Sequence, residues 1–200
     1  MTDRNQADHV LEHASPIRAK GAGRRQPTVN REALLRDGHD AAFRSFVHGL
    51  LAFTERLEAT RSGLGELVGL TGPQYTILIS IAHLEEAGDV SVSTVADHLH
   101  YSGAFVTLEV GRLVKKGLVS KCPSTRDRRR VRLTVTEAGR ALLAELAPTQ
   151  ARVNDTLFSA LDARDLDRIL ALLPGLIEGG DAATAQVSYE IAAAARGTGT

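Results

Sequence analysis

The stretch that decides the fold is GLVSKCPSTRDRRRVRLTVTEAG, residues 117–139. After its cluster of arginines, Val131, Leu133 and Val135 alternate with polar residues, which is the period-two pattern of a strand with one buried face. The pattern predicts a β-hairpin with a charged tip formed by Arg126, Asp127, Arg128, Arg129 and Arg130. Such a tip suits the phosphate-lined grooves of duplex DNA, although a solvated hairpin explains an isolated arginine cluster as well.

Charge is unevenly distributed along the chain, although its sum is zero. The 200 residues include 24 basic and 24 acidic side chains, so the net charge does not indicate a nucleic-acid partner. Residues 112–132, however, contain nine cations and one acid, Asp127, whereas residues 137–200 contain nine acids and five arginines. The basic middle of the chain is therefore the candidate surface for a polyanion.

Composition limits the chain to one ordinary domain, or to a small domain with a second helical layer. A hydrophobic content of 43% with only 4% aromatic residues predicts an aliphatic core. No apolar run reaches the roughly 18 residues of a membrane helix, and the N-terminus lacks the order of a signal peptide. The single cysteine, Cys122, cannot form an intrachain disulfide. We therefore expect a soluble, cytoplasmic protein without a membrane partner.

The first third of the chain divides into an arm and a helix. Residues 1–28 mix Gly, Pro, Gln and charge without periodicity, which predicts a flexible basic arm. Residues 29–69 place apolar side chains at helical spacing, and Gly38 is expected to break or bend the start of this helix. Thr71, Pro73 and Gln74 then form the signature of a capping box, which predicts a second helix from Pro73 to about Glu86.

Two short helices with a tight turn follow. Ser93 is the expected cap of a helix from Thr94 to Leu99, and Ser102 the expected cap of a helix that runs to Lys116. This is the helix-turn-helix arrangement, whose second helix enters the major groove of DNA. The stripe predicted to be buried in that helix is Val106, Val110, Leu113 and Val114, with Glu109 placed towards the outer face.

The chain after the hairpin is predicted to be helical. Thr136 should cap a long helix that Pro148 kinks. A last helix is expected from about Asp165 to Glu178, because Gly179 and Gly180 follow it. The alanine-rich tail within 179–200 could form a weak helix of its own.

In this order the elements resemble the MarR family of winged helix-turn-helix transcriptional regulators, over roughly residues 40–178. Five motifs carry the resemblance: Leu70-Thr71-x-Pro73-Gln74-Tyr75, Ser102 through Thr107, Lys115-Lys116-Gly117-Leu118-Val119, Asp127-Arg128-Arg129, and Leu133-Thr134-x-Thr136-Glu137-Ala138-Gly139. The resemblance implies a mainly α (α+β) fold. It comprises a winged helix-turn-helix with a two-stranded β-wing in residues 70–135, and a dimerisation layer formed by helices in residues 29–69 and 136–178.

The resemblance also implies a homodimer that binds double-stranded DNA at a pseudo-palindromic operator, with half-sites about 10 base pairs apart. Asp127 and Arg129 match the family's Asp-x-Arg wing motif, in which the arginine enters the minor groove and the acid holds it in place. Gly103 and Phe105 depart from the family's usual recognition residues, and Phe105 could equally belong to the core. The full set assigned to DNA is Ser102, Gly103, Ala104, Phe105, Thr107, Arg112, Lys115, Arg126, Asp127, Arg128, Arg129 and Arg130.

Family members usually respond to a signal and commonly act as repressors, and a small aromatic carboxylate is the typical effector. Arg44 and His48 are four residues apart on the first helix and could face an anion, with Phe53 and Tyr75 as the wall of the site. His48 could instead lie in the core or dimer interface, and Tyr75 could serve packing alone.

Two alternatives remain open at this point, a redox-responsive regulator and an architectural or protein-binding winged helix. Cys122 could make the protein redox-responsive, since Lys121 and Arg126 are near it in sequence, although a structural thiol is the simpler interpretation. No metal site is expected, because His98 and His100 lack a cysteine partner. The motifs of hydrolases, phosphate loops and metalloproteases are absent, so we expect neither an enzyme nor a cofactor. An architectural or protein-binding winged helix would share the fold.

Overall fold

The computed structural model of the chain describes residues 26–123 and 131–197. It contains a 3₁₀ turn at Glu32–Leu34, and the helices and strands follow in the order α1 (Ala41–Leu67), α2 (Gly72–Glu85), α3 (Val92–Leu99), α4 (Gly103–Lys115), β1 (Val119–Pro123), β2 (Val131–Val135), α5 (Glu137–Leu157) and α6 (Ala163–Gly197). The chain divides into two compact units, residues 1–54 and 55–200. These elements confirm the prediction of a mainly helical fold with a two-stranded wing.

In the first unit, a tight turn precedes α1. Arg36 and His39 exchange two backbone hydrogen bonds of 2.8 and 2.9 Å across Asp37 and Gly38, which have φ values of +52° and +75°. Asp and Gly tolerate this left-handed conformation better than other residues do. The break predicted at Gly38 is therefore confirmed, and the helix begins at Ala41 rather than near residue 29.

The core of the second unit is aliphatic and centres on α2. Ile77, Leu78 and Ile81 have no exposed surface, and Val95, Val106, Val110, Leu113, Leu133 and Leu146 surround them in the same cluster. The capping box at Thr71 and Gln74 is present as predicted. Because α2 is surrounded on several sides, it acts as the central helix against which α3, α4 and β2 pack.

The start of α3 differs from the prediction. Ser91, not Ser93, is the N-cap, and it forms a reciprocal capping box with Thr94 through bonds of 3.1 and 3.3 Å. Ser93 instead lies inside the first turn, with its hydroxyl 2.8 Å from that of Ser91. The helix therefore begins at Val92, two residues earlier than predicted.

The hairpin is antiparallel, and Val119 pairs with Val135, Lys121 with Leu133, and Pro123 with Val131. The Leu133 backbone N–H also donates to the Val90 carbonyl at 2.7 Å, so the segment before α3 adds a single bridge to the sheet. Leu133 and Val135 are buried as predicted. Val131 is 54% exposed, and its predicted burial was wrong because it lies opposite Pro123 at the end of the hairpin that adjoins residues 124–130, away from the core.

Helix α5 begins where β2 returns to the core. Thr136 caps it by accepting the Gly139 N–H at 3.0 Å, and its own hydroxyl donates to the Gly117 carbonyl at 2.6 Å. A side chain at Gly139 would overlap the carbonyl oxygen of Leu118, so only glycine allows this close approach. The helix continues through Pro148 to Leu157.

Helix α6 is longer than predicted. It continues through Gly179 and Gly180 to Gly197, where the sequence predicted an end and a separate weak helix. A helical glycine costs about 1 kcal/mol relative to alanine, which is too little to end a helix rich in alanine and leucine. Over the described residues no single helix combines the length and hydropathy needed to cross a bilayer, and only α1 and α2 together, as a bent pair, meet that criterion.

Candidate nucleic-acid interface

The turn between α3 and α4 sets the direction of the second helix. His100 adopts a left-handed conformation with φ +53°, and the Tyr101 N–H donates to the Ala96 carbonyl at 3.1 Å. Ser102 then caps α4, because its hydroxyl accepts the N–H of Phe105 at 3.2 Å. Only three residues therefore connect α3 to α4, which agrees with the tight turn of a helix-turn-helix.

Burial fixes which side of α4 faces away from the core. Val106, Val110 and Leu113 have no exposed surface, so their opposite face is solvent-exposed. Val114 was predicted to lie in the buried stripe, but it is 36% exposed, so that prediction was wrong. Of the recognition residues, Ser102, Gly103, Ala104 and Thr107 are exposed at the start of the helix. The hydroxyl of Thr107 donates to the Gly103 carbonyl at 2.7 Å, which leaves its lone pairs available as acceptors.

Phe105 is partly a packing residue and partly a surface residue, the two roles that the sequence left open. Its ring is half-buried and packs edge-to-face on Tyr101, with centroids 5.2 Å apart and planes at 90°. Such aromatic pairs stabilise by about 0.5–1.5 kcal/mol beyond area burial. One side of Phe105 therefore supports the turn, and the other remains at the surface.

Glu109 was wrongly placed on the outer face by sequence reasoning. It is 4% exposed and accepts hydrogen bonds from Gln74 Nε2 at 3.1 Å and from Arg112 at 2.5 Å. The Arg112 side chain, which forms this ion pair with Glu109, is 52% exposed. Lys115 is exposed on the same helix, whereas Lys116 donates to the Gly69 carbonyl at 2.9 Å.

Strand β2 carries an additional cation. Arg132 lies 3.6 Å from Asp89, and its Nε is buried without a hydrogen-bond partner among the described residues. Lys121 on β1 is exposed. The tip residues Arg126, Asp127, Arg128, Arg129 and Arg130 lie outside the described residues. Their assignment to DNA stays a prediction.

The residues predicted to bind an effector lie in both units. In the first unit, Arg44 forms an ion pair with Asp40, His48 is exposed and Phe53 is half-buried. Hydrogen bonds from the backbone N–H and hydroxyl of Thr28, at 2.7 and 2.8 Å, together with Arg44, hold the pKa of Asp40 below its ordinary value. The Arg44 guanidinium is thus already engaged by a carboxylate.

Tyr75 belongs to the second unit and is 1% exposed. Burial raises the pKa of its hydroxyl, although Arg61 opposes the shift from 5.9 Å above the ring. The hydroxyl has no hydrogen-bond partner within the described ranges. A buried polar group without a partner costs about 1–3 kcal/mol, so this hydroxyl is a candidate for contact with a ligand.

A cavity of about 360 Å³ lies between α1 and α5, also in the second unit, and sequence reasoning missed it. Its lining residues are Thr60, Arg152, Val153, Thr156 and Leu157. The surface that these residues present is mostly apolar, which suits an apolar molecule. Arg152 is the one cation among them, and its guanidinium donates to the Thr149 hydroxyl at 3.0 Å. No period or motif in the sequence distinguishes these residues from an ordinary amphipathic helix.

Other candidate chemistry is limited in the part of the chain that the structure describes. Residues 26–123 and 131–197 contain no group of three His, Cys, Asp or Glu side chains arranged to hold a metal ion. Cys122 is half-buried, with its Sγ 3.7 Å from the Ser120 hydroxyl, and it pairs with Arg132 across the hairpin.

Solved structures with the same fold are regulators of transcription. A MarR/EmrR family regulator from Acinetobacter sp. ADP1 superposes with a TM-score of 0.60 at 20% identity, over 70% of this chain and 96% of that one. A MarR mutant from E. coli complexed with operator DNA gives 0.53 at 20% identity, over 68% and 94%. CouR from Rhodococcus jostii RHA1, bound to p-coumaroyl-CoA, gives 0.58 at 20% identity, over 66% and 91%. At this identity the likeness establishes the fold.

Two curated relatives share sequence with part of the chain. The transcriptional activatory protein BadR of Rhodopseudomonas palustris is 32% identical over 96 residues, which is 48% of this chain and 55% of BadR. The HTH-type transcriptional repressor MdtR of Bacillus subtilis is 34% identical over 74 residues, or 37% and 46% of the two chains. The chain thus spans about half the length of these relatives. Both are regulators, which agrees with the prediction of a non-enzymatic protein.

The strongest assignment comes from the helix-turn-helix itself. Residues 68–130 match the model of the MarR family, and this range contains α2, α3, α4 and β1. The fold, the capped turn and the match in sequence all concern the same residues. Through these residues, 68–130, the chain is similar to the MarR family.

Proposed function

We propose that the chain is a homodimeric, sequence-specific, DNA-binding transcriptional regulator of the cytoplasm, which represses from a pseudo-palindromic operator until a small effector releases it. The observation that carries the proposal is the placement of α4. Its buried stripe anchors it on α2, while Gly103, Ala104 and Thr107 are exposed at its N-terminal end. That end is the part of a recognition helix that reaches base edges in the major groove.

The basic side chains on α4 and in the wing sequence support the same DNA-binding surface. Arg112 and Lys115 continue along α4 from the exposed N-terminal residues, and the wing sequence with Arg126, Arg128, Arg129 and Arg130 follows directly. Cations that neutralise phosphates release counterions and give affinity without reading sequence. We therefore assign base contacts to the start of α4, and phosphate or minor-groove contacts to Arg112, Lys115 and the wing.

The dimer proposal rests on α6. Its large apolar side chains are 38–66% exposed in the single chain, and no other element packs extensively along it within the described ranges. These side chains are Leu166, Ile169, Leu170, Leu172, Leu173, Leu176, Ile177, Val187, Tyr189 and Ile191. An apolar face of this length is unfavourable in water, and a second copy of the same helix would cover it.

The effector proposal rests on two features of the second unit. The buried hydroxyl of Tyr75 lacks a partner among the described residues, and the cavity beside Arg152 joins a cation to aliphatic walls. Both suit an aromatic carboxylate, and CouR in its solved structure holds p-coumaroyl-CoA. Arg44, His48 and Phe53 remain predicted contacts, to be tested by their own substitutions.

Competition binding tests the function. The full chain is incubated with random duplexes, the enriched sequence is recovered, and its affinity is compared with that of a scrambled duplex at one salt concentration. A regulator should prefer the enriched duplex by about a thousandfold or more. Similar affinity for both would indicate an architectural module, and release of the complex by oxidation alone would indicate a redox regulator acting through Cys122.

A thermal-shift screen tests the effector. Benzoate, cinnamate and coumarate, with their thioesters, should raise the melting temperature of the free protein and lower its affinity for the enriched duplex. Arg152→Ala should reduce the shift, because it removes the cation at the cavity. If none of these compounds shifts the melting temperature, the proposed effector class is wrong.

A further inference from the structure

Three polar side chains connect the start of α2 to the exposed side of α4. Gln74 Nε2 donates to one carboxylate oxygen of Glu109 at 3.1 Å, and Arg112 donates to the other at 2.5 Å. Gln74 and Glu109 are 5% and 4% exposed, whereas the Arg112 side chain is 52% exposed. The series begins in the core and ends at the surface proposed to contact DNA.

The capping box fixes the orientation of Gln74. Its Oε1 accepts the backbone N–H of Thr71 at 3.4 Å, so its Nε2 faces Glu109. A glutamine amide has its acceptor at one end and its donors at the other, and only this orientation satisfies both contacts. The cap of α2 therefore determines where the carboxylate of α4 lies.

Packing alone does not account for Glu109. Its neighbours on the inner side of α4 are Val106, Val110 and Leu113, all fully buried. Burial of a carboxylate is unfavourable unless it is paired and hydrogen-bonded, and an apolar side chain of similar volume is often as stable there. The contacts that distinguish Glu109 from an apolar residue are those with Gln74 and Arg112.

Resting on the proposed DNA-binding function, we propose that Glu109 is a positioning residue. Its carboxylate, oriented by Gln74, holds the guanidinium of Arg112 in the place where a DNA phosphate approaches α4. Arg112 has five N–H donors, so the bond to Glu109 leaves others for the phosphate. A side chain that is already ordered loses less conformational freedom on binding, and a phosphate contact from a fixed residue sets the register of the helix on DNA.

A different role for Glu109 predicts the opposite effect. If its carboxylate only neutralised Arg112, its removal would add positive charge and strengthen DNA binding. If it only stabilised the fold, its removal would weaken binding whether or not Arg112 were present. The affinities of single and double variants separate these roles from positioning.

The binding experiment uses the full chain and the duplex that the wild-type protein enriches from a random pool. Glu109→Gln keeps the shape and still accepts from Gln74, but it removes the charge that holds Arg112. We expect Glu109→Gln to weaken DNA binding about three- to tenfold, as for the loss of one pre-ordered side chain. In a protein that already carries Arg112→Ala, adding Glu109→Gln should have no further effect on affinity. The proposal would be overturned if Glu109→Gln bound DNA as tightly as the wild type or more tightly. It would also be overturned if Glu109→Gln caused the same loss of affinity in the Arg112→Ala protein as in the wild type. Glu145→Gln makes the same charge change at an exposed position of α5 and should leave affinity unchanged.

A second measurement does not depend on DNA. In nuclear magnetic resonance spectra, the guanidinium of Arg112 should show slow solvent exchange and restricted rotation in the wild type, and lose both in Glu109→Gln. Gln74→Met, which removes the donor to Glu109, should loosen Arg112 partly, and it replaces Glu109→Gln if that variant does not fold. An Arg112 signal unchanged in these variants would overturn the proposal. Failure of the wild type to enrich any duplex would instead contradict the proposed function, and the spectra would still decide whether Glu109 positions Arg112.

Discussion

Glu85 on α2 accepts the backbone N–H of Val135, the last residue of β2, at 3.0 Å. Its other carboxylate oxygen accepts a hydrogen bond from Arg140 on α5 at 2.9 Å, and the Glu85 side chain is 15% exposed. One carboxylate therefore joins the central helix, the base of the wing and the start of the next helix. The wing is held at its base by this side chain as well as by the backbone bond from Leu133 to Val90.

Glu85→Ala should lower the free energy of unfolding by about 1–3 kcal/mol, since it leaves the backbone N–H of the buried residue Val135 without its acceptor. The matched control is Glu86→Ala, because Glu86 is the next residue and its side chain is exposed. Urea unfolding followed by circular dichroism measures both. Equal stability of the two variants would show that the bond to Val135 contributes nothing.

Asp40 should make the segment before α1 sensitive to acid. Because the bonds from Thr28 lower its pKa from the ordinary 3.8, the folded chain favours the carboxylate. Their stabilising effect is complete above the unfolded-state pKa and is lost as the pH falls through the lower folded-state pKa. The exchange rate of the Thr28 amide hydrogen, corrected for its intrinsic pH dependence, should therefore be low at neutral pH and rise only below about pH 4.

Two substitutions test this assignment. Asp40→Asn should remove the protection of the Thr28 amide at neutral pH and abolish its dependence on acid. Asp37→Asn is the control, since Asp37 is exposed and Asn tolerates its left-handed backbone. Protection in Asp40→Asn as strong as in the wild type would refute the role of the carboxylate.

A charge on the apolar face of α6 should dissociate the dimer. Leu173→Asp places a carboxylate in the stripe formed by Ile169, Leu170, Leu173 and Ile177, where a partner helix would have to desolvate it. Ala171→Asp changes the opposite face of the same helix. Light scattering should give twice the chain mass for the wild type and Ala171→Asp, and a lighter species for Leu173→Asp. A dimer of undiminished stability in Leu173→Asp would place the interface elsewhere.

Arg129→Ala should weaken binding to the enriched duplex by about 1–3 kcal/mol and leave the dimer intact, because one arginine contact in the groove is lost. Arg164→Ala removes the same charge from the exposed start of α6 and serves as the control. Gel-shift titration at fixed salt gives both affinities. Wild-type affinity of Arg129→Ala would remove Arg129 from the proposed contacts.

Local signals in the sequence predicted most of the fold. The caps Thr71, Ser102 and Thr136 were found because a hydroxyl or amide before an apolar run satisfies helix N–H groups that otherwise lack partners. Ser91 was missed in favour of Ser93, since three hydroxyl residues, Ser91, Ser93 and Thr94, lie around the start of α3 and only the backbone conformation at Ser91 identifies the cap. Where several possible N-cap residues are close together in the sequence, composition alone does not identify the cap.

Long-range partners could not be predicted in this way. Glu109 looked like an outer residue because a carboxylate is rarely buried, and its partner Gln74 lies 35 positions earlier. Val90 contributes a single bridge to β2, which leaves no periodic pattern in the sequence. The cavity at Thr60 and Arg152 likewise depends on how α1 and α5 pack, which the amphipathic pattern of each helix does not specify.

The most direct test of the central claim is the spacing of the sequence that the dimer selects from random DNA. The account predicts two inverted half-sites whose centres lie about 10 base pairs apart, since two copies of α4 related by a two-fold axis must enter successive major grooves on one face of the duplex. Enrichment of a single unpaired half-site, or of no sequence at all, would contradict it.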